Sequence, residues 1–234
     1  MKKIIFLLLL SQAVLSQTVE FIEKNDTLQR PKYQQFIFLN DSTDLSAAIK
    51  VATIKATGNL RNPVKMLAKI KSESQKLGAN SYKFVSFRKN ALAAELTVTA
   101  YFITDSIHGV NYWNIPQNKV YIFGDDDLSV TKTQSYKIDG EKHEIGTGEY
   151  KVFNLYNGKE LKISKGGFTG MTLWVKGEQG KSRFLSFSGV GIAGAQHVIS
   201  SSGQGVGVNF TTGKIHHMDH DSALLLIKIF TEKK

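Results

Sequence analysis

The sequence predicts an α+β protein: a small N-terminal sheet with one packed helix, followed by an all-β sandwich or barrel-like C-terminal domain. Three observations predict it. The stretch from Asn62 to Gly78 carries helical start and stop signals around an apolar stripe. From Lys119 onward, apolar residues fall in short β-forming runs punctuated by Gly and Asx turns. The hydrophobic share of 41% is enough for both parts to build a core by burial.

The chain starts with an address. Lys2 and Lys3 precede the apolar run Ile4 to Leu10, and "SQAVLS" offers small or aliphatic residues at Val14 and Ser16. This pattern predicts a signal peptide over 1–16, cleaved near Ser16/Gln17. The run is shorter than the roughly 20 apolar residues a bilayer span needs. No later segment reaches that length, so no transmembrane span is expected after signal cleavage.

Residues 17–104 read as the α+β domain. "QQFIFLN" and, more loosely, "SAAIKVATIKATG" are strand-like. In "NPVKMLAKIKSESQKLG", Asn62 is a good N-cap and Pro63 suits the first turn. Val64, Leu67, Ile70 and Leu77 form a stripe between solvent-facing lysines, and Gly78 supplies the left-handed stop. "SYKFVSF" and "ELTVTAYFI" follow as strands. In the second, Leu96, Val98, Ala100 and Phe102 alternate with polar neighbours. Residues 105–118 read as a connection, docked by Tyr112 and Trp113. Residues 119–234 read as the all-β domain, with "VYIF", "SYKI", "EYKVFNLY", "ELKIS", "MTLWVKG", "RFLSFSG", "GVGVNF" and "ALLLIKIF" as its strands.

Two stretches carry a resemblance. "AKIKSESQKLGANSYKFVSF" is similar to a pattern in small exported domains of Gram-negative bacteria, where a Lys-rich helix ends in "LGAN" before a strand. The stretch "NKVYIF…YKIDGEKHEIGTGEYKVFNLYNGKELKI" resembles uncharacterised exported envelope β-domain proteins of the same bacteria. Its matching residues are Tyr121, Asp139, Gly140, Gly148, Tyr150, Gly158 and Lys159. The resemblance covers about half of the chain beyond the signal segment. It implies an envelope location and a β-domain, and it transfers no catalytic residue.

Composition narrows the function classes. With no cysteine, the chain has no disulfide, thiol nucleophile or Cys-ligated zinc, and an acylated-cysteine anchor is not expected. The net charge is +10, carried by lysine, since Arg30, Arg61, Arg88 and Arg183 are the only arginines. Scattered lysines favour a solvated surface or an anionic envelope component over nucleic acid, whose recognition draws on arginine. The expected partner is an envelope protein or an anionic surface component, and no nucleic acid.

Several near-motifs lack a required residue. "GVGIAG" (Gly189, Gly191, Gly194) has no helix pattern after it and no acid at the right distance. "GEQGKS" has Val175 where a P-loop needs its first glycine. "GDDDLS" places Asp125 and Asp127 in calcium-like alternation but has Val130 and Tyr136 where an EF-hand needs glycine and carboxylate. "HEIGT" at His143 lacks the second histidine of a zinc-protease helix.

The best ligand cluster is "HHMDHD". His216, His217, Asp219 and His220 supply imidazoles and a carboxylate suited to Zn or another divalent metal, with His143 or His197 as the remote ligand. The competing reading is a polar turn before a strand. The function expected is a non-enzymatic exported cell-envelope protein, a binding or structural module with no catalytic residue and no cofactor. The alternatives are a metal-binding protein using residues 216–221, or a hydrolase assembled in space.

Overall fold

The computed structural model describes residues 18–25, 35–58, 61–166, 170–187 and 215–234. The signal segment, the "GVGIAG" glycines, "GVGVNF" and His197 lie outside these residues. Among the described residues the protein is mixed α+β and mostly β, with three sheets and no closed barrel. The chain divides into two compact units. One takes residues up to 116 with 127–130 and 221–229, and the other takes 117–126, 131–220 and 230–234.

The first unit holds a five-stranded sheet in the order β1-β3-β5-β4-β2. Its strands are β1 (Thr18–Lys24), β2 (Ile37–Phe38), β3 (Ile49–Gly58), β4 (Ser81–Lys89) and β5 (Ala94–Phe102). All neighbours are antiparallel except the parallel pair β2 and β4. On β5, Ala94, Leu96, Val98, Ala100 and Phe102 are buried and alternate with half-exposed residues, the period of a sheet covered on one face. Helix α1 (Pro63–Lys76) packs against β3 and β5 with Val64, Met66, Leu67 and Ile70 buried. The Asn62 side chain accepts a hydrogen bond from the Lys65 N–H at 3.0 Å. Gly78 follows the helix at φ +87°.

Two expectations change in this part of the chain. The connection expected over 105–118 contains helix α2 (Asp105–Trp113), which belongs to the first unit. Its anchor is Asn111, fully buried, whose carbonyl oxygen accepts from the Asn40 N–H and the Thr43 hydroxyl and whose amide donates to the Phe38 carbonyl, each at 2.8 Å. Tyr112 and Trp113 meet edge-on and are 43% and 71% exposed. The strand expected in "ALLLIKIF" is helix α3 (His220–Ile229), with 221–229 in the first unit, so 119–234 is not all-β. Alanine and leucine are strong helix formers. Ala223, Leu224, Leu225 and Leu226 are all buried, and a helix buried on most sides shows no amphipathic period to read.

The second unit is a β-sandwich. Its four-stranded sheet runs β11-β10-β7-β8 and its five-stranded sheet β13-β12-β6-β9-β14. The first is built from β7 (Thr133–Ile138), β8 (Glu141–Gly146), β10 (Glu160–Lys165) and β11 (Met171–Lys176). The second is built from β6 (Lys119–Phe123), β9 (Glu149–Asn154), β12 (Arg183–Ser186), β13 (His216–His217) and β14 (Thr231–Glu232). One core joins the sheets: Val120, Ile122 and Leu185 from the second meet Tyr136, Ile138, Ile145, Ile163 and Val175 from the first. The Asp139–Gly140 turn between β7 and β8 has both residues at positive φ, +50° and +95°, as a two-residue hairpin turn requires. A Cβ built on Gly124 would lie 1.9 Å from the Gly146 carbonyl oxygen, so the approach of these two backbones demands glycine.

Candidate functional site

The histidine cluster starts as a strand and ends as a helix. His216 and His217 form β13, paired with Ser186 and Leu185. Adjacent strand residues point to opposite faces, so these two imidazoles diverge. Met218 continues the ladder, its N–H donating to the Phe184 carbonyl at 2.9 Å. His220 opens α3 and sets its ring edge-on to Phe184 at 5.3 Å. The neighbouring Asp221 is structural: its carboxylate accepts from the Phe38 N–H and its carbonyl from the Tyr82 hydroxyl, each at 2.8 Å. Partial desolvation, then the charge of Arg183, hold the His217 pKa below the ordinary imidazole value. His143 lies in β8, stacked on Tyr136 at 5.4 Å and edge-on to Phe153 at 5.5 Å. Among the described residues, no group of three or more His, Asp or Glu side chains is placed to hold a metal.

The other near-motifs also resolve into local structure. "GEQGKS" is the turn joining β11 to β12, closed by the Lys181 N–H on the Glu178 carbonyl at 3.2 Å. In "GDDDLS", Asp127 accepts from the Ser129 N–H at 3.0 Å and from its hydroxyl at 2.5 Å, an Asx turn.

Two faces of the four-stranded sheet carry more chemistry. On its outer face Lys137 stands directly opposite Lys142, while Lys162 stands opposite Trp174. Lys137, Lys142 and Lys162 are exposed, and Trp174 is 56% exposed. The Lys162 ammonium lies 5.7 Å from the indole centroid. None of these three lysines is ion-paired among the described residues, whereas Glu160 stands opposite Lys176 at the end of the same face. Like charges directly opposite on neighbouring strands are destabilising.

On the inner face, Leu161, Ile163 and Lys165 share one side of β10, placing a lysine in core register. Cross-strand partners extend this position into a row: Met171, Lys165, Tyr136, His143. The Lys165 ammonium donates to the Gln134 side-chain carbonyl and, at 3.1 Å, to the Phe187 carbonyl, and it lies 4.7 Å from the Phe187 ring centroid. Burial, reinforced by Lys132 and opposed by Asp125, pushes its pKa down to about 8. Burial raises the Tyr136 pKa. In the sequence "SYKI" and "ELKIS" read as plain strands, which leaves this row unseen. The available signal was phase: a lysine two residues beyond Ile163, and a glutamine two before Tyr136, on strands that bury one face.

No protein-family model, curated protein or solved structure matches the chain. No helix among the described residues is long and apolar enough to cross a membrane.

Proposed function

We propose that this chain is an exported cell-envelope binding module that holds an anionic glycan on the outer face of its four-stranded sheet. The Lys137–Lys142 pair carries this reading. A hairpin gains nothing from opposing two ammonium groups, and proteins accept such local costs where function requires them. Lys162 and Trp174 extend the basic surface over neighbouring strands. An exposed indole offers a flat, electron-rich face to the slightly positive C–H edge of a sugar ring, while the ammonium groups meet carboxylate or phosphate substituents. An anionic membrane surface suits this face less well, because interfacial binding needs several apolar residues to insert, and among the described residues Trp174 is the one large apolar side chain exposed there. The Lys2–Leu10 pattern supports export, and a fold with no cysteine needs no oxidative step in that compartment.

Titration calorimetry with a polyuronate tests this reading. Saturable binding is expected, weakened by added salt. A Lys137→Glu/Lys142→Glu/Lys162→Glu variant is expected to lose about tenfold or more in affinity, or at least about 1.4 kcal/mol. Binding to phosphatidylglycerol vesicles without binding to the polyuronate would reassign the face to a membrane surface. Export is tested separately. Protein recovered from an envelope fraction should begin at Gln17, and an unprocessed chain confined to the cytoplasm would refute that part.

A further inference from the structure

The opposite face of the same sheet carries a second polar cluster, independent of the glycan reading. Lys165, Tyr136 and Gln134 stand on adjacent strands β10 and β7, with His143 stacked on Tyr136 from β8 and the apolar core beside them. Directly opposed residues hold their Cβ atoms about 4.5–5.5 Å apart, so the Lys165 and Tyr136 side chains leave the sheet together. Both meet Phe187, since the Tyr136 and Phe187 ring centroids are 4.9 Å apart and the Lys165 ammonium lies over the same ring. Gln134 joins them because its carbonyl oxygen accepts from Lys165, which fixes its amide nitrogen beside that contact.

The hydrogen-bonding capacity here is not used up. Tyr136 is 3% exposed and Gln134 6% exposed, yet the Tyr136 hydroxyl and the Gln134 amide nitrogen have no partner among the described residues. A buried polar group left unsatisfied is costly, because it has given up its hydrogen bonds to water. An ammonium has three donors, and two of them go to Gln134 and Phe187. The unused hydrogen-bonding capacity at this point is mostly donor: an ammonium proton, an amide N–H and a phenolic O–H, whose oxygen can also accept. Lys132 adds positive charge that acts on Lys165, opposed by the Asp125 carboxylate, so the three charges together remain net positive. Three donors with a cationic bias suit an oxyanion, and a carboxylate presents about four lone-pair sites. The surroundings are apolar, with Met171, Leu173 and Ile215 packed alongside.

We propose that Lys165, Tyr136 and Gln134 form a binding site for the carboxylate head of a small aliphatic acid. The ammonium and the phenol donate to one carboxylate, the glutamine amide orients it, and Met171 and Phe187 flank the first carbons of the chain.

Hexanoate is the probe, with its methyl ester as the control that keeps the shape and removes the charge. Calorimetry and thermal unfolding at pH 7 are expected to show saturable binding of hexanoate with a Kd of about 1 mM or tighter. The melting temperature should rise as the site fills, and the ester should leave it unchanged. Tyr136→Phe keeps the ring and removes only the hydroxyl. It is expected to weaken hexanoate about tenfold, as is Lys165→Met. Affinity should also fall as the pH climbs past about 8, where the Lys165 amine loses its proton. The proposal is overturned if hexanoate leaves the wild type unshifted, if the ester acts equally well, or if Tyr136→Phe binds hexanoate like the wild type. A rise in melting temperature of equal size in wild type and both variants is a general salt effect and also overturns it.

Discussion

Lys165 shows what one residue can do to a sandwich core. It occupies a position where Leu161 and Ile163 set the pattern, and its folded-state pKa of about 8 lies below its ordinary 10.5. Between those two values the unfolded chain binds more protons than the folded one, so this group makes stability rise with pH. The wild type should therefore gain stability relative to Lys165→Met as the pH is raised from about 8 to 10.5, as followed by chemical denaturation at a series of pH values. A constant difference across that window would contradict the assignment. Gly124 is a second residue with one available identity. Its replacement by alanine drives a methyl group onto the Gly146 carbonyl. It should destabilise the protein by more than about 2 kcal/mol, in the range of severe steric and backbone substitutions. The histidines were legible as ligand types but not as geometry. The composition of "HHMDHD" is the same whether its chain is extended or helical, and here it is both: β13 through His217, then α3 from His220.

Among elements, α1 was the most legible, because capping, stripe and stop agree within one short stretch. Asn62→Ala should cost about 1 kcal/mol, the usual value of an N-cap, measured by urea unfolding. β5 was equally legible, its alternation reproduced in full by burial. The misread elements each hide their signal for a physical reason. Gly109 inside α2 argues against a helix locally, and the buried Asn111 network that holds it is formed with residues about 70 positions away. α3 is too buried to be amphipathic. β1 is an edge strand whose alternation is brief: Val19 and Phe21 are half-buried, and Ile22, Glu23 and Lys24 break the pattern. β8 is polar at most positions and becomes a strand through its pairing with β7. The start of α3 is tied down by Asp221, whose carboxylate accepts the Phe38 N–H. Asp221→Ala leaves that donor without its acceptor and should cost about 1–3 kcal/mol, whereas Asp221→Asn keeps an acceptor oxygen and should cost less.

At the scale of the whole molecule, two compact units with separate sheets are built without a cysteine. Charge is the property that reaches beyond the fold. The net +10 is spread along the sequence as lysine, and only the folded register of β7, β8 and β10 gathers Lys137, Lys142 and Lys162 on one exposed face beside Trp174. That gathering was not legible from composition, because it depends on which strands pair and in which register. The inward row ending at His143 has the same origin: strand phase can be read from a sequence, but strand order cannot. The most direct measurement of the central claim is a polyuronate titration of the purified protein at low and high salt, with the Lys137→Glu/Lys142→Glu/Lys162→Glu variant alongside. The account predicts saturable, salt-sensitive binding that the variant loses by about tenfold or more. Equal binding by variant and wild type, or none by either, would contradict it.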